Sequence, residues 1–334
     1  MNIVLSLDYE IFFGRQAGTV ERTLLAPTEA LRQIAKYHRL PLVFFVDAGF
    51  LLRLKEEGQR FPGLMRDYDQ IMRQLEGLVV DGHEIQLHVH PHWEDSFWNG
   101  ESWNINLQRY RLQDFENSAI SEIVTRYTNV LRTITGDRGV FAYRAGGWVI
   151  QPFSAIQKAL KDERILIDST IFRGGIAKGA THRFDFSNAP AASHWFFDDD
   201  PLECKPYGKF LEVPIASYRL SPLFYWRFAI RKKLGSSLYR QLGDGHTIPL
   251  SRSDLVRKLS CWTASAVSID GSKASILEDA YKQYERAGMS DFVVIGHPKA
   301  LSRFSLERLK NFISKRKVEE FVGYENYLTL FNSV

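Results

Sequence analysis

Cysteine is scarce in this chain: Cys204 and Cys261 are the two among 334 residues, and they lie far apart. They form neither a CxxC motif nor the even, closely spaced set of a disulfide-stapled secreted domain. Charge of one sign is lacking as well, since the net formal charge is only +4. General affinity for nucleic acid needs a far stronger basic field, so no nucleic-acid partner is expected. No apolar run reaches the roughly 18 residues that a membrane-spanning helix requires. Met1 leads at once into Ile3, Val4 and Leu5, which reads as a short buried strand rather than a leader with a basic head and a long apolar core. The expected setting is soluble and cytoplasmic. Repeats, low-complexity tracts and linkers are missing too. The expectation is a single domain over 1–334, interrupted at about 218–250 by a segment of different composition.

Histidine, by contrast, is concentrated. Four of the nine fall between Gly82 and Trp93, namely His83, His88, His90 and His92. From Glu84 to His90, apolar Ile85, Leu87 and Val89 alternate with polar Gln86, His88 and His90, the period-two pattern of a strand buried on one face. His88 and His90 then project to the same side. Pro91 has no N–H for a sheet ladder, so the strand ends there and His92 falls in the turn, from which it can swing back to the same point. Convergent imidazoles at a strand end suit zinc, cobalt, nickel or iron; a solvated polar strand end is the plain alternative.

Other strand-like runs also finish in polar residues. Residues 2–7 are mostly apolar and run into Asp8-Tyr9-Glu10, where a spacing of two puts both carboxylates on one face. The apolar run from Leu42 to Val46 ends at Asp47, Phe141-Ala142-Tyr143 ends at Arg144 before a glycine turn, Ile165-Leu166-Ile167 ends at Asp168, and Phe292 to Gly296 ends at His297. Helical periodicity separates these runs, clearest at Ile120, Ile123, Val124, Tyr127, Val130, Leu131 and Ile134. In an alternating chain of strands and helices closed as a parallel barrel, the C-terminal strand ends form the catalytic rim. Residues 94–113 lack periodicity and read as a loop over that rim, with Trp98, Trp103 and Tyr110 available to stack on sugar rings or to pack within the loop. Residues 218–242 read as a basic aromatic helix. Its stretch 218–233 suits a membrane surface, the plain alternative being a helix packed on the domain with its basic end in solvent.

Taken in order, these motifs resemble the polysaccharide deacetylases of carbohydrate esterase family four, the NodB-homology group. Ser6-Leu7-Asp8-Tyr9-Glu10 is similar to the family's first motif, and Gly82-His83-Glu84-Ile85 with His88 and His92 to its second. Tyr143-Arg144-Ala145-Gly146-Gly147-Trp148 looks like the third, Asp168-Ser169 like the fourth, and Ile295-Gly296-His297-Pro298 like the last. The resemblance implies a distorted (β/α)7 barrel, a bound divalent metal with zinc the first choice, and hydrolysis of an N-acetyl or O-acetyl group. Under it, Asp8 acts as base and His297 as acid, Arg144 holds Asp8, and Asp168 orients His297.

The chain departs from the family at two places. Tyr9 stands where a second aspartate is usual, so that Glu10 takes over as the carboxylate ligand, and Val89 stands where the family has a hydroxyl residue. The histidine pair is His88 with His92 by the motif, or His88 with His90 by strand geometry. The leading reading is a metal-dependent deacetylase acting on an acetylated carbohydrate, nucleotide-linked or lipid-linked. A deformylase or other amide hydrolase on the same barrel is the second, and a non-catalytic carbohydrate-binding protein the third.

Overall fold

The runs that read as apolar on both faces pair side by side in the computed structural model, which describes residues 1–249 and 251–333. In chain order the strands are β1 Asn2–Tyr9, β2 Val43–Asp47, β3 Glu84–Val89, β4 Phe97–Trp98, β5 Trp103–Asn104, β6 Ala142–Ala145 and β7 Ile167–Asp168. They continue with β8 Ile176–Lys178, β9 Arg183–Asp185, β10 Trp195–Phe197, β11 Phe210–Glu212, β12 Ser217–Leu220, β13 Thr263–Ala266 and β14 Asp291–Gly296. Among the described residues the main sheet has eight strands in the order β10-β11-β7-β6-β3-β2-β1-β14. Every neighbouring pair from β11 to β14 is parallel, and β10 joins the edge antiparallel to β11.

The sheet curls until its ends meet. Ile215, just beyond β11, bridges in parallel both to Phe172 and to Val293 of β14, and Ser268 bridges to Ile295. The result is a distorted barrel of seven parallel strands in which closure runs through short irregular segments. Burial explains the composition: β2 and β14 are buried along their whole length because the barrel interior covers one face and helices the other.

Helices α1 Ala26–His38, α2 Ala48–Gly58, α3 Pro62–Val80, α4 Asn117–Thr135 and α5 Gln157–Asp162 connect successive strands. Each packs an apolar stripe inward; in α4 the stripe is Ile120, Ile123, Val124, Tyr127, Leu131 and Ile134, as the periodicity predicts. Helices α6 Pro222–Leu234 and α7 Arg252–Ser260 form the inserted segment, and α8 Leu277–Arg286, α9 Arg303–Ile313 and α10 Glu325–Leu328 complete the chain.

The insert departs from expectation at its start. Residues 218–220 belong to β12 rather than to a helix, and β12 pairs antiparallel with β13, Ser217 opposite Ala266 and Leu220 opposite Thr263. That two-stranded ribbon carries α6 and α7 away from the barrel and back. Residue 250, the last of the expected insert, lies outside the described residues. Among the described residues no helix is long and apolar enough to cross a membrane.

Candidate active site

Parallel pairing forces all seven strand ends onto one rim, and register decides which side chains meet there. His88 lies opposite Asp47 on one side and Arg144 on the other. Asp8, Glu10, His88, His90 and Arg144 are all buried, with exposures of 6% or less.

Glu10, His88 and His90 form the group of potential metal ligands found among the described residues. His90 Nε2 lies 2.5 Å from Glu10 Oε2, and His88 Nε2 lies 3.2 Å from the same oxygen and 3.1 Å from His90 Nε2. His88 Nδ1 is 2.9 Å from the Arg144 carbonyl oxygen. A carbonyl only accepts, so Nδ1 of His88 carries a proton. Burial opposes a second proton but Asp8, Glu10 and Asp47 raise the ring's pKa; in the neutral ring, the form a metal ligand takes, the Nε2 lone pair faces Glu10 and His90. Burial lowers the His90 pKa to about 4, which keeps that imidazole neutral and able to ligate. Two lone pairs and a carboxylate oxygen facing one point repel unless a cation joins them, so the donor set fits a divalent metal.

Glu10 is held anionic. Burial works to raise its pKa, but the Lys299 charge, first among the opposing causes, outweighs this with the help of the adjacent imidazoles and lowers it well below its ordinary value. Lys299 Nζ donates to Glu10 Oε1 at 2.7 Å and to the Ile11 carbonyl at 2.7 Å, leaving Oε2 to the imidazoles. Gly146, in the turn after β6, makes room for the cluster: a Cβ there would lie 2.5 Å from the His90 ring.

On the other side of the cluster, Arg144 Nη1 donates to Asp8 Oδ1 at 2.6 Å. Its remaining donors reach Ser6 Oγ, the Ser169 carbonyl and Ser169 Oγ, so the buried guanidinium is both paired and hydrogen-bonded. Asp8 Oδ2 is 3.6 Å from His297 Nε2. His297 Nδ1 lies 2.8 Å from Asp270 Oδ2. Burial opposes an imidazolium here, but the Asp270 charge and hydrogen bond, with Asp8 and Glu10 beyond, raise the His297 pKa above its ordinary value.

Several expectations change in place. Asp168 does not orient His297. It accepts from Thr170 N and Thr170 Oγ1 and faces Glu212 across the β7–β11 register, while Asp270 takes the position beside His297. His92 is buried near the cluster but stands outside it. Its ring stacks on Tyr110 at 16° and meets Phe13 edge-on, because Pro91 opens a 3-10 turn over Pro91–Glu94 that rotates it away. Trp98 and Trp103 pack on each other in the β4–β5 hairpin, with Trp103 also against Trp93 and Phe50, and only Tyr110 of that loop lines the cleft.

Asp270 and Lys299 carry no signal in the sequence, whereas Asp47 is legible there as a strand end. Asp47 ends an apolar run as expected of a rim residue; burial pushes its carboxyl up to about 7, and it accepts from Trp93 Nε1 at 2.7 Å. The cleft over the cluster has a volume of about 520 Å³, walled by Tyr110, Trp148, Phe172, Phe184 and Tyr225. That size and aromatic wall suit a sugar unit.

No family model matches the chain, and no curated protein is similar enough to match it. Solved structures do match. One is from Mycobacterium smegmatis, of a protein provisionally named a polysaccharide deacetylase, at 15% identity and a TM-score of 0.47, covering 94% of this chain and 82% of that one. Another is PuuE allantoinase, at 14% identity and a TM-score of 0.46, covering 94% and 83%. A third is the Bc1960 peptidoglycan N-acetylglucosamine deacetylase, at 11% identity and a TM-score of 0.41, covering 96% and 85%. Pseudoenzymes of carbohydrate esterase family 4 are among the matches as well. Likeness this distant assigns neither activity nor substrate to this chain.

Proposed function

We propose that the chain is a metal-dependent hydrolase that removes an acetyl group from an acetylated sugar or polysaccharide precursor. One observation carries this reading: a Glu10–His88–His90 cluster lies between an Asp8–Arg144 pair and a His297–Asp270 pair, all at one rim. Support also comes from the order of the motifs along the chain, which is that of the polysaccharide deacetylases.

Glu10, His88 and His90 would hold one divalent ion, zinc by donor type, with cobalt, nickel or iron as alternatives. When bound, such an ion polarises an acyl carbonyl and acidifies water. The rest falls to the chain. Asp8, aimed by Arg144, accepts the proton of the attacking water through the oxygen that faces His297. His297, fixed through Nδ1 by Asp270, presents Nε2 to the same space and delivers a proton to the departing nitrogen or oxygen. Binding a sugar needs no such opposed acid and base, which favours hydrolysis over a purely binding role. The exposed apolar and basic side chains of α6, beside the cleft, support a lipid-linked form of the substrate.

The test is acetate release from a panel of N-acetylated and O-acetylated sugars. Chelator-stripped protein should be inactive, and added zinc or cobalt should restore activity. Metal-loaded protein that releases acetate from none of the panel would contradict the reading; release of formate from formamido sugars alone would move it to deformylation.

A further inference from the structure

The cleft does not end at His297. It continues outward between β13 and α7, where Lys258 and Lys273 line it. The acids nearest these lysines are already engaged: Asp254 with Arg257 at 3.2 Å, and Asp270 with both the backbone N–H and Nδ1 of His297 at 2.8 Å. Among the described residues, neither lysine has a carboxylate within ion-pair distance. Nor are the two ammonium groups simply solvated. Burial pushes the Lys258 pKa down to about 8, helped by the nearby charges of Lys273 and Arg257 and opposed by Asp254. Burial likewise lowers that of Lys273, opposed by Asp270.

Lys258 Nζ has the Tyr225 ring face at 5.8 Å and, among the described residues, no carboxylate partner, and two partly desolvated cations lining one cleft are more favourable around an anion than alone. Lysine is a point charge on a flexible stem, suited to phosphate oxygens, and two lysines match the double charge of a phosphate group better than the single charge of a carboxylate. Arg257, half-buried on the same wall, adds a third cation with only Asp254 to offset it. A cleft of about 520 Å³ has room for a sugar together with such a group.

We propose that Lys258 and Lys273 form a subsite for a phosphate or diphosphate carried by the substrate, so that the acetylated sugar enters as a phosphate ester with its charged end outward. The identity of the sugar end rests on the deacetylase reading; the anion site does not.

The probe is inorganic pyrophosphate, titrated calorimetrically into the protein with and without added zinc. Binding should be saturable in both states, should weaken as salt is raised, and should fall roughly tenfold or more with either Lys258→Gln or Lys273→Gln. Lys258→Arg, which keeps the charge, should largely retain it, separating loss of the site from loss of the fold. No binding, or binding indifferent to salt and to both glutamine substitutions, would overturn the subsite. Competition then identifies the source. Displacement of pyrophosphate by a nucleoside diphosphate indicates a soluble activated sugar, and displacement by vesicles carrying an isoprenyl diphosphate indicates a lipid-linked one. Displacement by neither would overturn the assignment to substrate. Because binding is read without turnover, a failed acetate assay leaves this result standing, and a failed pyrophosphate titration leaves the acetate assay standing.

Discussion

At the scale of single residues, Glu10 joins the parts of the rim, because its two oxygens serve different partners. Lys299 takes Oε1, and the imidazoles of His88 and His90 converge on Oε2. His90 therefore stands where a ligand is needed, and His92 stands behind it against Tyr110 and Phe13. Metal content measured by mass spectrometry on purified variants separates the two histidines. His90→Ala should lose bound metal, whereas His92→Ala should retain it and show a lower melting temperature from the packing it gives up. Loss of metal from the His92 variant alone would contradict this. Strict alternation along β3 made His90 readable from the sequence as a partner of His88; the motif favoured His92, and only the 3-10 turn at Pro91 decides its direction. Asp270 and Lys299 were hidden for a similar reason. Both follow irregular backbone, and no periodicity announces where such a side chain will point.

At the scale of elements, register explains what Asp168 does. It lies opposite Glu212 on neighbouring strands, both side chains buried, so two carboxyl groups face each other inside the barrel. Burial, then the Asp168 charge and hydrogen bond, raise the Glu212 pKa well above its ordinary value of 4.5, so that Glu212 keeps its proton in the fold. The sign of the linkage follows. Above about pH 4.5 the unfolded chain releases this proton and the folded chain does not, so stability falls as pH rises toward the folded pKa. Glu212→Gln retains an acceptor for Ile171 N and a donor toward Asp168 while removing the titration. Its melting temperature relative to wild type should therefore increase between pH 5 and pH 8, on the order of the interval over which Glu212 resists ionisation. A difference that stays constant across this range would count against a protonated Glu212.

The α6–α7 insert supplies the second element-scale prediction. Leu223, Trp226, Phe228 and Ile230 of α6 and Leu255 and Val256 of α7 are each at least 45% exposed, and Arg227, Arg231 and Lys233 accompany them on α6 with no acid. Apolar side chains among cations fit an anionic lipid surface. The protein should co-float with anionic vesicles at low salt, less so at high salt, and Trp226→Glu with Ile230→Glu should abolish it. Absence from the vesicle fraction at low salt would argue for a soluble substrate.

At the scale of the whole molecule, the barrel turns scattered sequence positions into one site, because every parallel strand ends on the same rim. This was legible in advance: each apolar run ended in a polar residue, and helical periodicity lay between the runs. Closure was not, since Ile215 and Ser268 bridge to β14 from segments too short and irregular to show a strand pattern. The central claim is that an opposed base and acid cleave an acyl bond at this rim. The most direct test compares His297→Ala with wild type on an N-acetyl amide and on an acetyl ester of a good leaving alcohol. Both rates come from the same preparation, so the ratio does not depend on the folded fraction. An amine departs only when protonated, whereas a low-pKa alcohol departs with little help. The amide rate should fall about 10²- to 10⁴-fold, with a clearly smaller fall on the ester. Equal losses on the two substrates would contradict the assignment of His297 as the acid.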